Sequence, residues 1–189
     1  MSKPNQAALL IIDMQQCMAD PAIGPRNNPQ AEANIERLLA AWRALDAPIV
    51  HIRHMSRSPE SVFWPGKPGA AFQSRFMPLD HEHIVEKHVT DAFAQSGLER
   101  WLRVRSINSL VIVGVASNYS VEATARAAGC LDFITTVVSD ACYTFDRPDL
   151  SGKVRSAEDI HQMALSNLNG EYARIVDTAA VLTNLAAAR

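Results

Sequence analysis

The sequence predicts an α/β fold, a three-layer sandwich with a mostly parallel central sheet between two layers of helices. Three observations carry this. Short apolar runs alternate with helix-favouring segments, the runs at 7–12 and 110–113 are continuously apolar, and each of these ends in a polar or glycine-containing turn. Strands buried on both faces have that continuous pattern, and strand–helix alternation at this spacing implies crossovers between parallel neighbours. With 189 residues the chain suits one domain, 1–189, with a substantial core.

The first strand, 7–12, ends at Asp13. A loop with Pro21, Gly24 and Pro25 follows. Asn28-Pro29 then supplies an N-cap and a first-turn proline for a helix carrying Ile35, Leu38, Leu39, Trp42 and Leu45 on one face. Asp46-Ala47-Pro48 stops it, and a second strand at 49–52 leads into Arg53-His54-Met55. The stretch from 56 to about 81 is irregular and holds Phe63, Trp64 and Phe72. A structureless segment of that length inside a compact domain is usually functional, so a pocket wall or lid is expected, with a surface-packed loop as the alternative.

Residues 84–87 form a short strand ending in Glu86-Lys87, and Ser96-Gly97-Leu98-Glu99 has the pattern of a capping box opening a helix to about Arg105. The most apolar strand, 110–114, feeds a helix that Gly129 closes as C-cap. A strand at 133–138 leads to Ser139-Asp140-Ala141-Cys142. Ser156 and Asp159 open a helix to about Leu168, 172–176 is the last strand, and Asp177 caps the final helix.

The formal net charge of −2, with both signs interspersed, points to neither nucleic acid nor a membrane surface as partner. No apolar run approaches the roughly 20 residues of a membrane span. Residues 1–6 lack the apolar segment of a signal peptide. Cys17, Cys130 and Cys142 are odd in number and outside any CxxC pattern, so they read as reduced thiols of a cytoplasmic protein.

In a parallel sheet the ligand crevice lies beyond the carboxyl ends of the strands, where strand order reverses. Asp13, Lys87, the 115–120 turn and Asp140 all follow predicted strands, which is geometric support for one site. Ser120 lies in the first turn of its helix, where unpaired N–H groups and the helix dipole favour negative charge. Taken singly, each of these residues reads more readily as structural. His81 and His83 lack a third ligand, so they are poor evidence for zinc.

Together, Leu9-Leu10-Ile11-Ile12-Asp13-Met14-Gln15, Val85-Glu86-Lys87 and the run from Gly114-Val115-Ala116-Ser117-Asn118-Tyr119-Ser120 through Arg126 resemble the isochorismatase-like cysteine hydrolases. Val138-Ser139-Asp140-Ala141-Cys142 and Asn167-Leu168-Asn169-Gly170 extend the resemblance over nearly the whole chain. That family includes nicotinamidases, N-carbamoylsarcosine and ureidoacrylate amidohydrolases, biuret hydrolases and isochorismatases. The resemblance implies a Rossmann-like sandwich and a homo-oligomer, dimer or tetramer. It also implies an Asp-Lys-Cys triad in which Asp13 matches the aspartate, Lys87 the lysine and position 120 the cysteine. Here position 120 is serine. An oxyanion hole from the N–H groups of Ala116 and Ser120, and a cis peptide at Val115–Ala116, are further implications. Nicotinamidases of the family hold zinc through an Asp-x-His pair after the second strand. Here that place reads His51-Ile52-Arg53-His54, without the aspartate, so no metal or other cofactor is expected.

A hydroxyl served by a lone carboxylate is a poor nucleophile toward amides, and no motif places a histidine beside Ser120. The serine is either a deliberate Cys→Ser replacement in an amidohydrolase or a natural variant. Isochorismatases break a vinyl ether with the aspartate as acid and need no cysteine. The context Asn118-Tyr119-x-Val121-Glu122-Ala123-Thr124 resembles the cysteine enzymes more, which favours the first account. The expected function is therefore hydrolysis of a non-peptide C–N bond in a small amide or ureido compound, nearly silent with Ser120. Isochorismatase-type chemistry and non-catalytic ligand binding are the alternatives. Gln15 and Asn118 are expected to meet the substrate's polar atoms, and Phe63, Trp64, Phe72, Tyr119, Tyr143 and Phe145 its body, with a place in the core as the alternative for each ring. Trp42 and Trp101 are assigned to packing.

Overall fold

Six parallel strands make the central sheet of the computed structural model, which describes residues 7–187. Residues 1–6, on which the signal-peptide expectation falls, lie outside the described residues. The strands are β1 (Ala8–Ile12), β2 (Ile49–His54), β3 (His83–Lys87), β4 (Ser109–Val115), β5 (Ile134–Tyr143) and, after a separate antiparallel hairpin of β6 (Arg147–Pro148) and β7 (Val154–Arg155), β8 (Arg174–Val176). Their order is β3-β2-β1-β4-β5-β8, and every pairing within the sheet is parallel. Strand order therefore reverses between β1 and β4, and the crevice of such a sheet lies there.

The continuous apolar runs work as two-sided strands. Leu10, Ile12, Val50 and Ile112 pack on one side against α2 (Leu98–Val104), α3 (Glu122–Cys130) and α4 (Ala157–Leu168), through Leu98, Leu102, Ala125, Ala128, Leu165 and Leu168. Leu9, Ile11 and Val113 face the other way. They pack against Ile35, Leu38, Leu39 and Trp42 of α1 (Ala31–Ala44) and Val181 of α5 (Thr178–Ala187). Each fully buried aliphatic side chain contributes about 1.5–3 kcal/mol from apolar burial. The sandwich is thus three-layered, with α1 and α5 on one face.

Between β1 and β4 the backbones meet closely. Gly114 has φ +121°, and a Cβ there would stand 2.1 Å from the Ile12 carbonyl oxygen. Only glycine fits both conditions.

Several elements differ from the sequence reading. Asn28 is not the N-cap of α1. It takes a left-handed φ of 46°, and its amide donates to the carbonyls of Ser139 and Cys142 at 2.9 and 2.7 Å, while α1 begins at Ala31. Those β5 carbonyls need donors, and asparagine tolerates the left-handed region. The capping box at Ser96 is shifted: Ser96 Oγ accepts from Leu98 N, Gly97 is the N-cap, and Glu99 pairs with Arg103. Gly129 lies inside α3, not at its end. A Cβ there would be 2.8 Å from the Tyr172 carbonyl oxygen, and the chain reverses at Asp132, φ 61°. Close approach, not capping, requires that glycine.

The strand expected at 133–138 runs on to Tyr143, with a register shift against β4 that sets Gly114 opposite Cys142. The 56–81 segment is a loop with two short 3₁₀ turns. It is fastened to the end of β1 by Gln16 N to Ala71 O at 2.8 Å and Gln73 N to Met14 O at 3.1 Å. Ser156 accepts from Asp159 N at the start of α4, and Asp177 Oδ1 accepts from Ala180 N at the start of α5.

Candidate active site

Three residues far apart in the chain meet at the carboxyl end of the sheet. Asp13 follows β1, Lys87 ends β3, and Ser120 follows β4. β3 is two strands from β1, so only a long side chain at its end can reach the switch point past β2. Lys87 Nζ donates to Asp13 Oδ2 at 2.7 Å and to Ser120 Oγ at 3.0 Å. Lys87 is 1% exposed, Asp13 4% and Ser120 6%. Out of water an ion pair like this carries a desolvation cost that only close geometry offsets. Asp13 itself has φ 52°, which turns the chain out of the strand and aims its carboxylate along the sheet end.

The second carboxylate oxygen, Asp13 Oδ1, is buried with no hydrogen-bond partner among the described residues. A buried acceptor left open costs about 1–3 kcal/mol, so this oxygen has room to accept a hydrogen bond from a ligand. Ser120 Oγ accepts from the lysine and keeps its own proton to donate.

Ser120 sits in a single π-helical turn, Ser117–Val121, between β4 and α3. Both Tyr119 N and Val121 N donate to the Ala116 carbonyl, at 3.0 and 3.2 Å. Turns of this kind recur at functional sites. The Val115–Ala116 peptide is cis, at the place the resemblance put it.

The expected substrate contacts divide. Phe63 stands edge-on to His54 with centroids 5.2 Å apart, at the end of β2 beside Lys87. Tyr119 is 46% exposed under the Arg147 guanidinium at 4.7 Å, and Asn118 Oδ1 accepts from Thr144 Oγ1 at 2.6 Å. Phe72 is buried, edge-on to His51 at 5.9 Å, and Trp64 is half-buried in the loop. Phe145 is half-buried, 5.8 Å from Tyr143.

Three placements differ from the sequence reading. Gln15 is fully buried, and its amide serves the protein: Nε2 donates to the His54 and Ala70 carbonyls at 2.9 and 2.8 Å, and Oε1 accepts from His54 N at 2.8 Å. Both of its donors are used, so it clamps the loop to the strand ends. Tyr143 is a core residue, fully buried, with its hydroxyl donating to Met18 O at 3.4 Å and the Arg26 guanidinium over its ring at 4.2 Å. Asp140 also leaves the site: its carboxylate accepts from Thr178 N, Thr178 Oγ1 and Asn34 Nδ2, tying α1 and α5 to β5.

His54 is the residue that sequence reasoning missed. It is register partner of Lys87, and burial with the nearby ammonium holds its imidazole below the usual histidine range. Its position two residues past the apolar run of β2, at the same sheet end as Lys87, was the available signal. His83 opens β3 and stacks on Trp101 at 4.4 Å. Among the described residues no group of three His, Cys, Asp or Glu could hold a metal ion, and no helix is long and apolar enough to cross a membrane. Arg53 and Arg75 pair with Glu86 and Glu36.

Residues 7–180 match the family model described as the isochorismatase domain. The chain is 35% identical over 174 residues to the uncharacterized isochorismatase family protein YrdC of Bacillus subtilis (strain 168), covering 92% of this chain and 93% of that protein. It is 33% identical over 156 residues to a streptothricin hydrolase of Streptomyces noursei, covering 79% of this chain and 55% of that enzyme. A crystal structure of an isochorismatase-family protein from Chromobacterium violaceum ATCC 12472 superposes with a TM-score of 0.94 at 44% identity, over 99% of this chain and 100% of that one.

Proposed function

The chain belongs to the isochorismatase family of hydrolases, and from that premise we propose that Asp13, Lys87 and Ser120 form a site for hydrolysing a non-peptide C–N bond in a small amide or ureido compound, with serine in the place of the nucleophile. The observation that carries the reading is the lysine bridge, with Nζ 2.7 Å from Asp13 Oδ2 and 3.0 Å from Ser120 Oγ in a buried site.

A thiol at position 120 would stand beside an ammonium and at the start of a helix, both of which favour its thiolate. Asp13 would take the thiol proton and return it to the leaving amine, using the oxygen that has no partner. The N–H groups of Ala116 and residue 120 would hold the oxyanion, where a single such donor is worth about 2.7–4 kcal/mol. Lys87 would fix the carboxylate and offset its charge. A hydroxyl ionises far less readily than a thiol, so turnover of amides is nearly lost with Ser120. Phe63, Trp64, Phe72, Asn118, Tyr119 and Phe145 stay with the proposed binding surface.

The test is gain of function. Ser120→Cys should release ammonia from a panel of small amides and acylureas. If the variant folds, releases nothing and forms no thiol adduct, the reading is lost. The unpartnered Asp13 Oδ1 also suits a second reading, an isochorismatase-type vinyl-ether cleavage with Asp13 as acid. That activity would be present with Ser120 unchanged and absent in Asp13→Asn.

A further inference from the structure

Next to the reactive turn lies a second buried polar cluster that the proposed chemistry does not use. His161 of α4 is 2% exposed and Ser117, the first residue of the π-helical turn, is fully buried. Their side chains meet at 2.6 Å, Ser117 Oγ to His161 Nδ1. The other ring nitrogen, Nε2, is 3.4 Å from Asn28 Nδ2, which donates to the Ser139 and Cys142 carbonyls of β5. The ring therefore sits between the Ser117 hydroxyl at Nδ1 and the Asn28 amide at Nε2. The imidazole thus joins α4 to the turn and to the loop before α1, whose Asn28 is in turn bonded to β5.

We propose that His161 is a positioning residue for the nucleophile's seat: through Ser117 it holds the 117–121 turn in register, and so sets the direction of the side chain at position 120 toward Lys87 and Asp13. This rests on the reading of that turn as catalytic. The physical argument is one of anchoring. The turn leaves β4 and must deliver residue 120 within hydrogen-bond reach of Lys87 Nζ, at 3.0 Å. Its outer side is loosely held, with Tyr119 exposed and Asn118 tied by a single bond to Thr144. On its inner side the Ser117–His161 bond is short and buried, so it has the rigidity the outer side lacks.

Protonation would not break this contact: an imidazolium presents N–H at both nitrogens, and Ser117 Oγ can accept from Nδ1 as well as donate to it. Burial opposes that charge and keeps His161 below the ordinary histidine range. Among the described residues the charged group bearing on it is Glu158 of the same helix, which accepts from Asn27 Nδ2 at 3.2 Å. The turn and the loop before α1 present the uncharged Ser117 hydroxyl and Asn28 amide to the ring.

The experiment uses the Ser120→Cys protein, whose thiol reports the seat without any substrate. Its alkylation rate by iodoacetamide is followed peptide by peptide, alongside ammonia release. Adding Ser117→Ala or His161→Gln should slow alkylation and lower kcat by about tenfold with KM little changed, within the roughly 10²-fold that a 1 Å misplacement costs. His161→Asn, whose side-chain amide falls near the position of Nδ1, should restore most of the loss. A folded His161→Gln protein with unchanged alkylation and unchanged kcat overturns the proposal, as does a His161→Asn protein no better than His161→Gln. The two readings separate cleanly: thiol reactivity that depends on His161 with no amide turned over sinks the catalytic reading and keeps the anchor.

Discussion

Lys87 Nζ and Asp13 Oδ2 are 2.7 Å apart across 74 residues of chain, and both side chains are almost fully out of water. The strand order makes this possible, because β2 alone separates the two strand ends. Breaking a buried pair by removing one partner costs about 3–5 kcal/mol, since the other charge is left behind. Lys87→Met should therefore lower the urea stability by about 3 kcal/mol, and Asp13→Asn added to it should recover part of that loss. A double variant no more stable than Lys87→Met alone would refute this.

Glu82 supplies the acid dependence of stability. Burial opposes its charge, but hydrogen bonds from Arg43, Leu79 N and His51 outweigh that and bring its carboxyl from 4.5 to about 2. The folded value lies below the unfolded one, so this stabilisation is present above about pH 4.5 and is lost as pH falls through about 2. It amounts to at most about 3 kcal/mol. His51 and His161, both lowered by burial, add losses that begin as pH drops below 6.5. In Glu82→Gln the urea midpoint should stop changing between pH 4.5 and 2 by the amount the parent shows, and an identical profile would count against it.

Gly114→Ala should be among the most damaging single changes. The added methyl meets the Ile12 carbonyl at 2.1 Å and the backbone is at φ +121°, so β1 and β4 must part at the switch point. A loss above about 3 kcal/mol, or failure to fold, is expected. Gly97→Ala, with open space at its Cβ position, should stay within about 1 kcal/mol. Thermal unfolding of the pair decides it; comparable melting temperatures would be a refutation.

Gln15→Leu removes a clamp and keeps the bulk. Three hydrogen bonds to His54 and Ala70 disappear, leaving buried backbone groups without partners. About 2 kcal/mol or more should be lost, and amide exchange should rise in the 56–81 loop before the rest of the chain. Uniform exchange across the protein would contradict the clamp.

The cysteines should separate by environment. Burial pushes the Cys17 and Cys142 thiols up to about 12, whereas Cys130 is exposed. Native protein at neutral pH should take iodoacetamide at Cys130 alone, with the other two reacting only on denaturation. Labelling of Cys17 in the native state would show that the loop opens over it.

The sequence by itself determined what depends on local pattern. Continuous apolar runs at 7–12 and 110–113 could only be strands covered on both faces, and the helix starts at Ser156 and Asp177 used side-chain oxygens that cap within three residues. The placement of Asp13, Lys87 and Ser120 was also legible, because each follows a strand and parallel strands share one functional end. Tertiary structure alone decided the rest. Gln15 and Tyr143 look like site residues in sequence and turn inward, because buried carbonyls of His54, Ala70 and Met18 required donors from distant segments. Asn28 became a clasp to β5 instead of a cap for the same reason. Gly129 is a point of close approach to Tyr172, and the short bond between Ser117 and His161 joins residues 44 apart. A local pattern records which groups a residue can offer, and only the folded chain settles which buried partners claim them.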